Sequence, residues 1–268
     1  MEDDQAVVNI WRNWQGQFPH FPHVRVGMLD QTQIQSSDDK VVVEQLFLVF
    51  LRHAKEKELK RTWEIMQGLP HIRSKSFILA IEAFGKVGSI EQAEKIWVNI
   101  NSTKKLSLTE QFNSILSVYC RHGIVDKASA VFKEMRASGC QPNAITYRHL
   151  ALGCLKSGLV KEALNTMDMG KKEVVTKKVR SSTPWLETTH MLLENFAEIG
   201  DLENAKRVYG ELSESKYCRN SFVYNTLLKA YVKAKVYEPD LLRTMILRGA
   251  MPDAETYSLL RLIEQFKI

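Results

Sequence analysis

Residues 109–143, TEQFNSILSVYCRHGIVDKASAVFKEMRASGCQPN, contain two helical patterns joined at a glycine. The first pattern has the i, i+3, i+4, i+7 spacing of one apolar helical face: Phe112, Ile115, Leu116 and Tyr119. Gly123 then stands where a left-handed helix end is expected, because glycine tolerates that conformation. A second apolar pattern of helical period runs over 125–135, and Pro142 follows it as a helix breaker. The stretch therefore predicts a hairpin of two helices.

The same pattern recurs along the chain. Landmark glycines recur at steps of 35, 35 and 42 residues: Gly88, Gly123, Gly158 and Gly200. An alanine follows each glycine after five residues: Ala93, Ala128, Ala163 and Ala205. One helical hairpin of about 35 residues cannot bury its own apolar faces, so neighbouring hairpins must stack. The sequence thus predicts an all-α solenoid of helix-turn-helix repeats.

The spacing of these landmarks sets the predicted boundaries. Helical hairpins are expected at 40–73, 74–108, 109–143, 144–185, 186–220 and 221–253, and a single capping helix at 254–268. The hairpin at 144–185 carries seven extra residues around the basic segment 171–180, which we expect to project as a loop or helix extension. This segment either grips RNA or is solvated. Residues 1–39 form an acidic extension, whose aromatic residues we expect to pack on the first hairpin or on a partner.

Composition and motifs limit the classes of function. The net charge is +6, but residues 1–39 contain six acidic and two basic residues, so the basic excess lies in the repeats and suits a polyanionic partner. No apolar stretch is long enough to cross a membrane, and the four cysteines lack the paired spacing of a metal or disulfide framework. We therefore expect buried free thiols. No nucleotide-binding, metalloprotease or hydrolase motif occurs, so neither a cofactor nor catalysis is expected.

Two hairpins carry motifs that identify a family resemblance. Phe112-Asn113 and Tyr224-Asn225 begin their first helices, and the hairpins end in Gly139-Cys-Gln-Pro-Asn143 and Gly249-Ala-Met-Pro-Asp253. With the 35-residue step, these motifs resemble the pentatricopeptide repeat family over roughly 40–268, as a short P-type array without an added catalytic domain. The resemblance implies a right-handed superhelix that binds single-stranded RNA in a mitochondrion or chloroplast, with no targeting segment in this chain. It also implies a role in RNA processing, splicing, stability or translation.

The resemblance also implies which residues contact bases. Family members read one base per unit with a polar residue early in the first helix and another at the last position of the unit. Asn113 with Asn143 resembles the family's cytosine-leaning pair, and Asn225 with Asp253 resembles its uracil-reading pair. The other candidate base-reading residues are Arg148, His190 and Asn220. The second position usually holds an apolar residue that sandwiches bases, and here the matching residues are Val41, Ile145 and Phe222.

A basic residue ends most of the first helices. The five residues are Arg52, Lys86, Arg121, Lys156 and Lys233, with Glu198 as the exception. They form either a stripe that contacts RNA phosphates or ordinary charges favoured by the helix dipole. The alternative function is a helical scaffold that contacts other proteins within an organellar ribonucleoprotein such as a ribosome.

Overall fold

The computed structural model describes residues 37–68, 72, 74–102, 108–174 and 176–267, and all regular structure in these ranges is helical. The aromatic residues expected to pack near the N-terminus lie outside the described residues. The chain divides into two compact units, residues 1–106 and residues 107–268, which are described separately. No helix in the described part is both long and apolar enough to cross a membrane.

The first unit contains two helical hairpins. Its helices are α1 (Ser37–Arg52), α2 (Glu56–Gly68), α3 (Ser74–Lys86) and α4 (Ile90–Ser102). Each pair packs together, and α1 also contacts α3. Aromatic rings form the core of this unit: the Phe47 ring lies 6.4 Å from that of Trp63 and 6.2 Å from that of Phe84. A partly buried hydrogen bond joins the two first helices, from the hydroxyl of Ser76 to the carboxylate of Glu44, over 2.9 Å.

The second unit continues the same plan with more hairpins. Its helices are α5 (Thr109–Arg121), α6 (Val125–Ala137), α7 (Ala144–Lys156), α8 (Val160–Glu173), α9 (Lys177–Arg180), α10 (Thr183–Ile199), α11 (Leu202–Ser213), α12 (Ser221–Ala234), α13 (Leu241–Leu247) and α14 (Ala254–Glu264). The first helices of the hairpins pack side by side in the order α5, α7, α10, α12 and α14, while α6, α8 and α11 form a second layer against them. The predicted all-α solenoid is thereby confirmed.

The landmark glycines act as predicted at the turns. Gly123 has φ +69°, the left-handed conformation that favours glycine, and its carbonyl accepts a 2.9 Å hydrogen bond from the hydroxyl of Ser157 in the next turn. Ala54 occupies the same slot in the first hairpin and adopts φ +50°. The turn geometry is therefore kept where the glycine is absent.

A second group of glycines allows helices to approach closely. A Cβ atom added at Gly153 in α7 would lie 2.9 Å from both Cβ and Sγ of Cys120 in α5, and 3.0 Å from its Cα. A Cβ at Gly170 in α8 would lie 2.9 Å from Cβ of Tyr147. These distances are shorter than carbon atoms tolerate, so the spacing of these helices depends on glycine.

The expectation that the 171–180 segment projects from the stack is wrong for several of its residues. Lys171 forms an ion pair with Glu211 of α11. Glu173 accepts a hydrogen bond from the hydroxyl of Tyr147 in α7, and Val179 packs against the apolar core. The physical reason is that α8 has nearly the length of α6, so Lys171 and Glu173 stay within the repeat, and the additional chain begins after them.

The prediction of buried free thiols is confirmed for three of the four cysteines, and Cys154 is only half-buried. All four cysteines are free thiols, and Cys120, Cys140 and Cys218 are buried. Burial raises the pKa of Cys120 to about 12, so its thiol stays protonated at neutral pH. No group of potential metal ligands occurs among the residues that the structure describes.

Candidate nucleic-acid interface

The first helices of the second unit present a common face to solvent. In α7, Ile145 and Lys156 are eleven residues apart. At 100° per residue they lie within about 20° of each other around the helix and about 16 Å apart along it. Phe222 and Lys233 in α12 have the same separation. Ile145 and Phe222 are 49% and 45% exposed, so each of these helices carries an exposed apolar residue at one end and a cation at the other. The side chain of Val41, in α1, lies outside the described residues.

All five candidate phosphate-contacting residues lie in the last turn of a first helix and are exposed. Arg52 and Lys86 belong to the first unit; Arg121, Lys156 and Lys233 belong to the second. Within the described ranges, no carboxylate forms an ion pair with any of the five. Their charges are thus available to an anionic ligand, although the helix dipole alone would also favour cations here.

The predicted pair Asn113 and Asn143 is brought together. Asn143 caps the N-terminus of α7, where its Oδ1 accepts from the backbone N–H of Ile145 and of Thr146 over 3.0 and 3.1 Å. The Nδ2 of Asn113, in α5, donates to the same oxygen over 3.2 Å. The hydroxyl of Thr146 donates to Oδ1 of Asn113 over 2.7 Å. The amide of Asn113 therefore has a fixed orientation.

The pair Asn225 and Asp253 forms the corresponding arrangement. Asp253 caps α14 by accepting from the backbone N–H of Thr256 over 2.8 Å, and the hydroxyl of Thr256 donates to Oδ1 of Asn225 over 2.7 Å. The Nδ2 of Asn225 lies 3.0 Å from Oδ1 of Asp253. Hydrogen bonds from Ser221, the Thr256 backbone and Asn225 lower the pKa of Asp253 far below its usual value, so it is an ionised acceptor at neutral pH.

The candidates His190 and Asn220 do not form such a pair. Nε2 of His190 lies 3.1 Å from Oγ1 of Thr226, and its ring meets the Phe222 ring edge-on at 5.1 Å. Asn220 is exposed, and its amide donates to the backbone carbonyl of Tyr217 over 3.1 Å. Burial lowers the pKa of His190, which favours its neutral form. The imidazole therefore supports Phe222 instead of pairing with Asn220.

Arg148 lies in a basic cluster. Its Nε is buried and has no hydrogen-bond partner among the described residues. The adjacent His149 has its pKa lowered to about 4 by burial and by the charges of Arg148 and Arg121. The charges of Arg148 and Arg121 are thus concentrated around His149, where α5 and α7 meet.

Sequence reasoning missed the threonines that orient the two asparagines. Thr146 and Thr256 are buried, and each stands three residues after the N-cap of its helix. This spacing, Asn-x-x-Thr and Asp-x-x-Thr, is a capping-box signal that the sequence displays. The signal predicts the cap but not the bond to an asparagine of the preceding first helix.

Comparison with known proteins places this repeat geometry in a family. The sequence pattern of the PPR repeat family matches residues 110–156. A mitochondrial pentatricopeptide repeat-containing protein of Arabidopsis thaliana is 53% identical over 232 residues, which are 87% of this chain and 43% of that protein. The chain belongs to the pentatricopeptide repeat family. A second mitochondrial pentatricopeptide repeat-containing protein of Arabidopsis thaliana is 26% identical over 71% of this chain and 30% of that protein. The chain thus spans less than half the length of either relative.

Solved pentatricopeptide repeat structures share this fold. The crystal structure of the pentatricopeptide repeat protein PPR10 from maize matches 89% of this chain and 33% of that protein, with a TM-score of 0.57 and 20% identity. A structure of PPR10 in complex with an 18-nucleotide RNA element matches 97% of this chain and 38% of that protein, with a TM-score of 0.55 and 18% identity. At these identities the likeness establishes the fold.

Proposed function

We propose that this pentatricopeptide repeat protein binds single-stranded RNA along the face formed by its first helices, and that it acts without catalysis. The observation that carries this proposal is the alignment found on α7. Exposed Ile145 and unpaired Lys156 share one side of the helix, and the oriented amide of Asn113 lies beside its N-terminal end. Phe222 and Lys233 repeat the alignment on α12.

Each of these groups matches a part of a single-stranded RNA. Unstacked bases can pack on exposed apolar or aromatic side chains such as Ile145 and Phe222. An amide both donates and accepts, so Asn113 can bond with the polar edge of a base. The cations that end the helices can neutralise phosphates. A duplex keeps its bases stacked and paired, so this face suits a single strand.

The comparisons support an organellar role of the same kind. Two relatives carry the word mitochondrial in their names, and PPR10 has been crystallised with an RNA element. We infer that this protein works in a mitochondrion or chloroplast, with the mitochondrion favoured. Its task would be to assist RNA processing, splicing, stability or translation. Binding alone can serve these roles, because a bound array can protect an RNA segment or keep it unfolded.

The binding mode predicts that Asn113→Ala removes a base preference with little loss of overall affinity. We expect the parent to favour one base at one RNA position by about 1 kcal/mol or more, as for other side-chain contacts to bases. The variant should bind all four bases alike, because its cations are unchanged. Fluorescence anisotropy at fixed salt, with RNAs that differ at one position, measures the effect.

Asn195→Ala is the matched control for this prediction. Asn195 lies in α10, is not one of the predicted base-reading residues, and its amide donates to the backbone carbonyl of Met191. It should leave the preference intact. A parent without any base preference would show that Asn113 does not read bases. If the parent binds single-stranded RNA no more tightly than it binds duplexes, the result would support the alternative of a protein scaffold.

A further inference from the structure

The two asparagine sites differ in one contact. At Asn113, one N–H of the amide donates to Asn143, and within the described part of the chain the second N–H has no acceptor. The second residue of the next first helix, α7, is Ile145, whose side chain has no hydrogen-bond acceptor. At Asn225, Nδ2 lies 3.0 Å from Oδ1 of Asp253 and 3.1 Å from Oε2 of Glu255. A primary amide has two N–H groups, so both are used at Asn225.

Glu255 is held in this position by a cation on the same face. Nζ of Lys229 lies 2.8 Å from Oε1 of Glu255, which leaves Oε2 directed at Asn225. The ion pair with Lys229 lowers the pKa of Glu255, so the carboxylate is charged at neutral pH. Its hydrogen bond with the amide is therefore charge-assisted and stronger than a bond between neutral groups. Asn225 is also more enclosed than Asn113, with 1% against 6% of its surface exposed.

We propose that Glu255 is a specificity-determining residue that blocks base reading by the hairpin 221–253. Its carboxylate occupies the amide N–H of Asn225 that a base would otherwise contact, while the equivalent N–H of Asn113 stays available. The inference rests on the proposed function, because it assumes that RNA lies along this face. A base at the Asn225 site would have to replace the charged Glu255 carboxylate with a neutral acceptor. The base would also lie next to the negative charge of Glu255. The hairpin 109–143 therefore discriminates among bases, and the hairpin 221–253 does not.

Selection from a randomised single-stranded RNA pool, followed by sequencing, tests this proposal. The parent should enrich RNAs that share a preferred base at one position. Glu255→Ile, which restores the residue type found at Ile145, should add a second preferred position three nucleotides away, since three hairpin steps separate the two sites and each hairpin faces one base. Enrichment of the favoured base there should be about threefold to tenfold, the value of one hydrogen bond.

Glu110→Ile is the matched control. Glu110 is exposed and is the second residue of α5, as Glu255 is of α14. The hairpin before α5, however, has Ile78 at the position that Asn225 occupies before α14. This variant removes the same charge and should add no preferred position. If the parent enriches a preferred base and Glu255→Ile enriches the same base at the same single position, the proposal for Glu255 is overturned while RNA binding stands. If no variant enriches any RNA, the proposed function fails and the role of Glu255 fails with it.

A second measurement examines the blocked amide without RNA. Hydrogen exchange of the Asn225 side-chain amide, followed by NMR in the free protein, should be several-fold faster in both Glu255→Ile and Glu255→Ala, with the Asn113 side-chain amide as internal reference. The alanine variant covers the case in which isoleucine perturbs folding. Unchanged exchange at Asn225 in both variants would show that Glu255 does not hold this N–H.

Discussion

Replacing Arg121, Lys156 and Lys233 together by alanine is expected to weaken the binding of single-stranded RNA about a hundredfold or more at low salt. Each residue is exposed and ends a first helix of the second unit. Each phosphate contact on a single strand contributes about 0.7 to the slope of log affinity against log salt, so the slope should fall by about two units. Titrations at several salt concentrations measure both quantities.

The matched control removes the same charge from second helices of the hairpins. Lys133, Lys161 and Arg243 are exposed and lie on the second helices α6, α8 and α13. Their triple alanine variant should keep most of the affinity and most of the slope. Equal losses in the two variants would mean that only the net charge matters, and the cations that end the first helices would then be ordinary helix-terminal charges.

The substitution Gly153→Val is expected to destabilise the second unit by about 3 kcal/mol. The new Cβ would lie 3.0 Å from the Cα of Cys120, a backbone atom that cannot rotate away, so α5 and α7 must separate. Their separation would also lengthen the 2.7 Å bond between Thr146 and Asn113, so base preference should weaken with stability. Thermal unfolding followed by circular dichroism should show a midpoint lowered by roughly 10 °C.

Gly210→Val is the control for helix propensity. Gly210 is also inside a helix, α11, but apart from its chain neighbours and the backbone of its own helix, no atom lies within 4 Å of a Cβ built there. The same substitution should therefore change the midpoint by no more than a few degrees. If the two variants unfold alike, close approach at Gly153 does not determine the spacing of these helices.

The hairpins could be predicted from the sequence because the turn glycines recur with the period of the repeat. Gly123 and its equivalents require a left-handed turn, and the apolar residues between them show the helical spacing. Gly153 and Gly170 gave no such signal, because a glycine inside a helix marks a close approach only when the neighbouring helix is known. The projection of the 171–180 segment was a wrong prediction for a related reason. The sequence shows how many residues the hairpin 144–185 has in excess, but not the contacts that Lys171 and Glu173 make.

The candidate site was predicted in part. The last residue of each of these two hairpins caps the first helix that follows, and that helix packs against the first helix before it. Asn143 therefore contacts Asn113, and Asp253 contacts Asn225. The orientation of each amide depends on Thr146, Thr256 and Glu255, whose hydroxyls and carboxylate reach across helices. Such contacts depend on side-chain rotamers, which a repeat pattern does not specify.

Photocrosslinking of the protein to single-stranded RNA is the most direct test of whether RNA lies along the face formed by the first helices. Mass spectrometry would identify the crosslinked peptides. We expect crosslinks at Phe222, a residue that is 45% exposed on this face, and in the peptide that contains Ile145. Leu247 and Met251 are apolar and more exposed, at 76% and 80%, but lie at the end of α13 and after it. Crosslinks confined to Leu247 and Met251, or to the second helices, would contradict the claim.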